Sequence, residues 1–152
     1  MSFNAEEFMN QAVEGSLDTK IDPLGEGDFP GVIDDVSVAA GEKDGKGWTR
    51  LDVKWKITDA DALSAAGKAP DIPVTVNQGI MLDINEQGKL DTGAQKNVRL
   101  GKLRDAVNQN DGSPWTPGML IGCVAMLRIG TRPDRNDPET LWNDIKSVVA
   151  IS

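Results

Sequence analysis

The sequence contains no histidine, which removes the commonest general base, the usual partner of a serine or cysteine nucleophile and the commonest metal ligand. Its one cysteine, Cys123, excludes an internal disulfide. Because Cys123 lies in an apolar run, residues 119–129, it is expected to pack as a small buried hydrophobe. A phosphate-binding loop needs a helix after its glycines, whereas the glycine-rich residues 41–47 precede a predicted strand. We therefore expect no enzymatic activity, no cofactor and no metal site.

Long apolar segments and aromatic residues are also scarce. No apolar run approaches the roughly 20 residues that cross a bilayer, and residues 1–11 have neither the basic nor the apolar region of a signal peptide. We expect a cytoplasmic protein without membrane contact. With four tryptophans, three phenylalanines and no tyrosine, any stacking of aromatic side chains on a ligand must be sparse.

The acidic charge is unevenly distributed along the chain of 152 residues, whose formal net charge is −8. Residues 1–31 hold seven acidic residues and one lysine, a net of −6, whereas the other 121 residues hold 17 acidic and 15 basic residues, a net of −2. The length indicates one domain with a core. We therefore predict an acidic N-terminal arm, residues 1–26, and one near-neutral domain, residues 27–152, that leaves room for a local basic patch.

The arm carries an apolar stripe at helical spacing, formed by Ala5, Phe8, Met9, Ala12 and Val13. Ser2 is placed as the N-cap of this short helix. So short a helix is marginal alone and needs to pack on the domain, on a second copy of the chain or on another protein. The alternative is a frayed terminus.

Residues 47–59 show the clearest pattern, an alternation that sends two sets of side chains to opposite faces of a strand. The odd positions form a core face of Thr49, Leu51, Val53, Trp55 and Ile57. The even positions carry Trp48, Arg50, Asp52, Lys54 and Lys56. One aromatic and three cations that face water suit a polyanion whose bases stack. The alternative interpretation is a solvated polar face on a half-buried strand.

The strand before it is predicted to be its antiparallel neighbour. The expected core face of this first strand consists of Val32, Val36 and Val38. Asp34 interrupts the apolar pattern and indicates a bulge. Residues 41–47 are expected to form a glycine-rich hairpin loop that carries Lys43 and Lys46.

The later part of the chain predicts three more strands and one confident helix. The strands are expected over residues 74–84, 119–130 and 141–151, and the helix over residues 97–109. The fourth strand is expected to be apolar on both faces, with Arg128 at its end and with Arg132 and Arg135 in the loop that follows. Trp115 is expected to plug an end of the core, and the cations around the helix, among them Arg99 and Lys102, to be solvated.

Five strands with one helix between the third and fourth follow the order of an OB fold. Four segments also carry a family resemblance: GEGDFPGVIDDV, GWTRLDVKWKITD, KNVRLGKLRDAV and LIGCVAMLRIGTRPDRNDPETLWNDIKSV. In these segments the chain resembles a family of bacteriophage OB-fold single-stranded-DNA-binding proteins, over roughly residues 27–150. Many such proteins have an acidic tail that recruits replication partners, whereas this chain ends in VVAIS. The acidic arm becomes a candidate substitute for that tail.

The expected fold is therefore mainly β, a five-stranded OB-fold-like barrel with one helix between strands 3 and 4 and an acidic N-terminal arm. The resemblance implies non-sequence-specific binding of single-stranded DNA in phage DNA replication or recombination, in the host cytoplasm. The candidate nucleic-acid-binding residues are Lys43, Lys46, Trp48, Arg50, Lys54, Lys56, Arg128, Arg132 and Arg135. The implied partners are single-stranded DNA, replication or recombination proteins and further copies of the chain. Two alternatives remain: a phage structural or assembly protein built on a β-barrel scaffold, and an inhibitor whose acidic surface occupies a host nucleic-acid site.

Overall fold

The alternating apolar and polar residues of this sequence form five antiparallel strands in the computed structural model, which describes residues 3–17 and 22–151. The strands are β1 (Gly27–Lys43), β2 (Lys46–Ile57), β3 (Val74–Leu82), β4 (Val124–Pro133) and β5 (Leu141–Val149). The helices are α1 (Ala5–Met9), α2 (Ala60–Ala65) and α3 (Val98–Ala106), and a 3-10 helix covers Pro117–Leu120. Ser2, the predicted N-cap of the arm helix, lies outside the described residues.

The five strands form one sheet in the order β3-β2-β1-β4-β5, with antiparallel neighbours throughout. The sheet curls until its two edge strands, β3 and β5, come within 8 Å of each other between Cα atoms. No ladder of hydrogen bonds joins these edges in the described chain, and α3 contacts both of them. The mainly β, OB-fold-like architecture with one helix between β3 and β4 is confirmed, and its barrel is open along the gap between β3 and β5, here called the seam.

The core of the barrel follows from the alternation in β2. Leu51, Val53, Trp55 and Ile57 are buried, as the odd positions predict, and Thr49 is half-buried. Around them pack buried apolar side chains from the other strands and from the helices, including Leu63, Val76, Ile80, Leu100, Leu103, Leu120, Leu127 and Ile129. The side-chain orientation predicted for β2 is therefore correct.

The core face predicted for β1 is wrong in its first half. Phe29 and Ile33 are buried, whereas Val32 is only half-buried. The predicted bulge at Asp34 is present as a break in register between Ile33 and Asp35. It exchanges the two faces, so the odd residues point inward before the bulge and the even residues after it. The prediction placed the even residues inward along the whole strand, and this orientation holds only after the bulge.

The predicted hairpin loop over residues 41–47 is also wrong, because both strands continue through it. β1 runs to Lys43 and β2 begins at Lys46, so that the connection is the two-residue turn of Asp44 and Gly45. Both turn residues have positive φ, +54° and +78°, which is the backbone that an Asp-Gly pair accommodates in a tight hairpin. β1 and β2 form a long ribbon, and Val38 on its inner side is 59% exposed.

The predicted fourth strand begins too early and is not apolar on both faces. The 3-10 helix occupies residues 117–120, and Gly122 turns the chain with a φ of +88° before β4 starts at Val124. The inward residues Ala125, Leu127 and Ile129 are buried, as is Gly130, which has no side chain, whereas Val124 is 55% exposed. A sheet whose outer side has no covering layer buries one face of each strand, which explains the difference.

The connection between α3 and β4 closes one end of the core. Trp115 is half-buried and packs against the core, as predicted. Its indole Nε1 donates to Gln109 Oε1 at 2.8 Å, and the guanidinium carbon of Arg104 lies 4.4 Å from its ring centroid. The amide of Gln109 also donates to Cys123 Sγ at 3.2 Å. Cys123 is therefore half-buried beside a polar group, not enclosed in the apolar core as the sequence predicts.

The arm is described in two pieces. α1 is a single short turn of exposed residues, capped by the side chain of Asn4, which accepts a hydrogen bond from the backbone N–H of Glu7. Further along, Leu24 is buried in the core, and its backbone N–H donates to Asn143 Oδ1 at 2.8 Å. The end of the arm at Leu24 is thus packed on the barrel. No helix in the described ranges is long and apolar enough to cross a membrane.

Candidate nucleic-acid interface

The even residues of β2 and the odd residues of β3 form one outward surface, here called the β2–β3 face. Cross-strand pairing sets Arg50 beside Met81 and Lys54 beside Asn77. A shallow groove crosses this face from β1 to β3, lined by Asp35, Val36, Ser37, Arg50, Asp52, Val53, Lys54, Asn77, Gln78 and Gly79. The alternation that buries Trp55 therefore presents the predicted candidate residues of β2 to solvent.

Trp48 and Arg50 are held close to the sheet by two glycines. A Cβ at Gly41 would lie 2.7 Å from the Trp48 indole, and a Cβ at Gly79 would lie 3.0 Å from Arg50 Cδ. Only glycine lets these side chains approach the neighbouring backbone so closely. The Arg50 guanidinium carbon lies 5.4 Å from the centroid of the half-buried Trp48 ring. The guanidinium therefore lies over the ring in a cation–π contact.

The β2–β3 face was predicted to be basic, but carboxylates neutralise its cations. Arg50 donates to both oxygens of Asp52, at 2.5 and 3.2 Å, and this hydrogen bonding raises the pKa of the guanidinium above its ordinary value. Lys54 and Lys56 share the carboxylate of Asp34, at 3.7 and 4.0 Å. The bulge in β1 brings Asp34 to these lysines, and a pattern within one strand could not have revealed this neighbour. The β2–β3 face is close to neutral.

Lys43 and Lys46 lie at the tip of the β1–β2 ribbon. They face each other across the last pair of the ladder, and both are exposed. In the described chain neither forms an ion pair within 4 Å. Trp48 follows Lys46 by two residues along β2, so the ribbon tip extends the β2–β3 face away from the barrel.

Of the three candidate arginines near the fourth strand, only Arg135 lies where it was predicted, in the connection that follows the strand. Arg128 is in the middle of β4, on the outer side of the sheet, and pairs with Asp28 at 3.2 Å. Arg132 is also within β4, and Arg135 is exposed in the connection to β5. Arg132 lines a depression that adjoins the β2–β3 face. Because the predicted β4 ended too early, Arg128 was placed at its end instead of its middle, and Arg132 was placed in the loop instead of the strand.

Asp134 organises the connection between β4 and β5. Its carboxylate accepts hydrogen bonds from the Trp142 indole N–H and from the backbone N–H groups of Asn136 and Asp137. These bonds, the one from Trp142 first, hold the pKa of Asp134 below its ordinary value. Trp142 is thereby fixed beside Arg132, its partner in the β4–β5 ladder.

Two further depressions lie along the seam. They are lined in part by cations of α3 that were predicted only to be solvated. One is lined by Asn77, Gln78, Gly79, Arg99, Arg132, Asp144 and Ile145. The other is lined by Gln78, Arg99, Lys102, Leu103, Ile145, Lys146, Ser147 and Val148. The spacing of Arg99 and Lys102 places them on one side of α3, but only the packing of α3 on β3 and β5 shows that this side faces the seam.

The groove of the β2–β3 face and the seam are continuous at the middle of β3, where Gln78 lines all three depressions. Across the described residues, no group of three or more acidic, cysteine or histidine side chains is arranged to hold a metal ion. Comparison of the chain with models of protein families, with curated proteins and with solved structures found no match.

Proposed function

We propose that this protein binds single-stranded DNA without sequence preference, in the context of phage DNA replication or recombination, and that the strand lies across the β2–β3 face. The observation that carries the proposal is the open groove of this face, which Arg50 lines together with polar residues of β3 and which adjoins the seam. Trp48 lies beside this groove, against Arg50. An open, continuous groove suits an extended polymer better than a compact small molecule.

The chemistry of the groove fits a ligand with stacking bases and phosphates. Trp48 offers an aromatic surface to any base, which gives affinity without sequence preference. The ion pairs of Lys54, Lys56 and Arg50 are partly exposed, and exposed pairs of this kind contribute only about 0–1 kcal/mol. A phosphate can therefore replace Asp34 or Asp52 at small cost. Binding should weaken steeply with salt, because phosphate contacts release counterions.

Replacing Lys54 and Lys56 together by alanine tests this placement. The double variant should bind oligo-dT more weakly, and the slope of log K against log salt should become shallower by roughly 1 unit. Fluorescence anisotropy over a salt series measures both quantities. The matched control is Lys54→Arg with Lys56→Arg, which keeps both charges and should keep the slope. If the wild-type protein shows no salt-dependent binding of oligo-dT, the proposed function is wrong and a structural or assembly role is favoured.

The opposite change is expected from Asp34→Asn. This substitution removes the carboxylate that Lys54 and Lys56 share, so phosphates no longer compete with it. Binding of oligo-dT should tighten by up to roughly fivefold at low salt, the equivalent of about 1 kcal/mol for an exposed pair. The effect should fade as salt screens the charges. An unchanged affinity at low salt would mean that the two lysines do not contact the DNA.

A further inference from the structure

We infer that the seam is the main phosphate-binding surface of this protein and takes the backbone of the strand whose bases lie on the β2–β3 face, an inference that rests on the proposed function. Four cations from three elements meet there: Arg99 and Lys102 from α3, Arg132 from β4 and Lys146 from β5. Their convergence depends on the fold, since 47 positions separate Arg99 from Lys146 in the sequence.

The charge at the seam differs from the charge on the β2–β3 face. The depressions along the seam contain one carboxylate, Asp144, which pairs with Lys146 at 2.8 Å. Arg99, Lys102 and Arg132 form no ion pair within 4 Å in the part of the chain that the structure describes. Four cations against one acidic group make a positive surface in a chain whose formal net charge is −8. Such a surface attracts an anionic ligand.

Asp134 lies near Arg132 but forms no ion pair with it within 4 Å in the described part of the chain. Arg132 is near enough to contribute to the lowered pKa of Asp134, but hydrogen bonds from Trp142, Asn136 and Asp137 to that carboxylate contribute as well. The Asp134 carboxylate thus has hydrogen-bond partners in its own loop and in β5, and its charge offsets only part of the charge of Arg132. The exposed Arg132 side chain remains available on the side that faces Gly79 and Asn77.

The shape of the seam favours a polymer. The two depressions along it share Gln78, Arg99 and Ile145, and they continue into the groove of the β2–β3 face through Asn77, Gln78 and Gly79. A chain of phosphates can occupy successive depressions, whereas one small anion would occupy a single one. The facing edges of β3 and β5 could instead accept a strand from another protein, but such pairing uses backbone groups and does not require four cations.

The decisive variant is Arg99→Ala with Lys102→Ala. Both side chains are exposed, and Leu100 and Leu103, which are buried, remain in place. The loss of two phosphate contacts to a single strand should make the salt slope of oligo-dT binding shallower by about 1.4 units and weaken binding on the order of 20-fold near 0.1 M salt. This loss should exceed that of the Lys54 and Lys56 double variant. Arg99→Lys with Lys102→Arg keeps the charges and should keep the slope.

A second measurement needs no substitution. Acetylation of lysines on the wild-type protein, with and without oligo-dT, should show protection of Lys102 and Lys146, while Lys68, which pairs with Asp22 outside the grooves, should react equally in both samples. If oligo-dT binds but leaves both seam lysines unprotected and the Arg99 and Lys102 variant keeps the wild-type slope, the seam inference is overturned and the proposed function stands. Loss of self-association by light scattering in that variant, with oligo-dT binding unchanged, would also overturn it and assign the seam to a protein strand. If wild type binds no oligo-dT, both ideas fail.

Discussion

Replacement of Trp55 by alanine should lower the free energy of unfolding by about 3–5 kcal/mol, the usual range for removing a buried tryptophan. The Trp55 side chain is completely buried at the centre of the barrel. It contacts the region where β1 and β4 pair, since a Cβ at Gly31 would lie 3.2 Å from its ring and 2.8 Å from Leu127. Its indole Nε1 also donates to Gln78 Oε1 at 2.9 Å. The variant loses packing on three strands and leaves a half-buried amide oxygen without this donor.

Two controls separate these contributions and test the orientation of β2. Trp55→Phe keeps an aromatic ring and removes the hydrogen bond, so it should be less destabilising than alanine. Trp48→Ala changes the other face of the same strand and should alter stability by less than about 1 kcal/mol, while weakening oligo-dT binding by about 1–3 kcal/mol if a base stacks there. Denaturant unfolding gives the stabilities. Equal losses for Trp48→Ala and Trp55→Ala would contradict the assignment of these two faces.

The prediction for β2 succeeded because one uninterrupted alternation decides the orientation of every residue in it. The same reasoning failed for β1, where the bulge at Asp34 was recognised but its consequence was not. One extra residue exchanges the inward and outward sets, and local sequence shows only that the pattern is interrupted. Ile33 was therefore missed as a core residue.

The apolar run before β4 shows a different limit. A short apolar run fits a strand and a buried helical turn equally well, and the 3-10 helix buries Leu120 while Gly122 allows the turn into the strand. β4 then also ends later than predicted, at Pro133, which decides where Arg128 and Arg132 lie in it. A boundary error of a few residues therefore placed Arg128 at the end of the strand instead of its middle, and Arg132 in a loop instead of the strand.

The charges of the candidate site were the least predictable feature, because ion pairs and clusters join distant parts of the chain. Asp34 neutralises Lys54 and Lys56 across the β1–β2 pair, and the seam gathers Arg99 with Arg132 across the open side of the barrel. The number of charged residues is known from the sequence. Which of them are neighbours depends on the strand order and on the packing of α3.

Asn97 connects the stability of the fold with the position of the seam cations. It is 9% exposed, the one buried polar residue among those described. Its Oδ1 accepts the backbone N–H of Asp83 at 2.8 Å, and its Nδ2 donates to the carbonyls of Asp83 and Asp91 at 3.0 and 2.8 Å. Its own backbone N–H donates to Asp83 Oδ2. These bonds tie the end of β3 to the residue before α3, whose first turn carries Arg99.

Asn97→Ala should therefore lower the free energy of unfolding by about 2–4 kcal/mol. Alanine leaves partly buried backbone groups without their partners, which costs about 1–3 kcal/mol. The residue also has a φ of +54°, and this left-handed conformation costs an ordinary L-residue roughly 1 kcal/mol more than asparagine or glycine. Denaturant unfolding of purified protein measures the sum.

Asn97→Gly separates the two causes, because glycine accepts the positive φ but supplies no side-chain amide. The glycine variant should therefore be more stable than the alanine variant by about 1 kcal/mol, and it should remain less stable than wild type. Since α3 then starts from a looser connection, the glycine variant should also bind oligo-dT more weakly while keeping the wild-type salt slope, because every phosphate-binding cation is still present. A glycine variant as stable as wild type would show that the bonds from Asn97 to Asp83 and Asp91 do not hold α3 in place. A changed slope would show instead that Arg99 and Lys102 leave the DNA when that connection loosens.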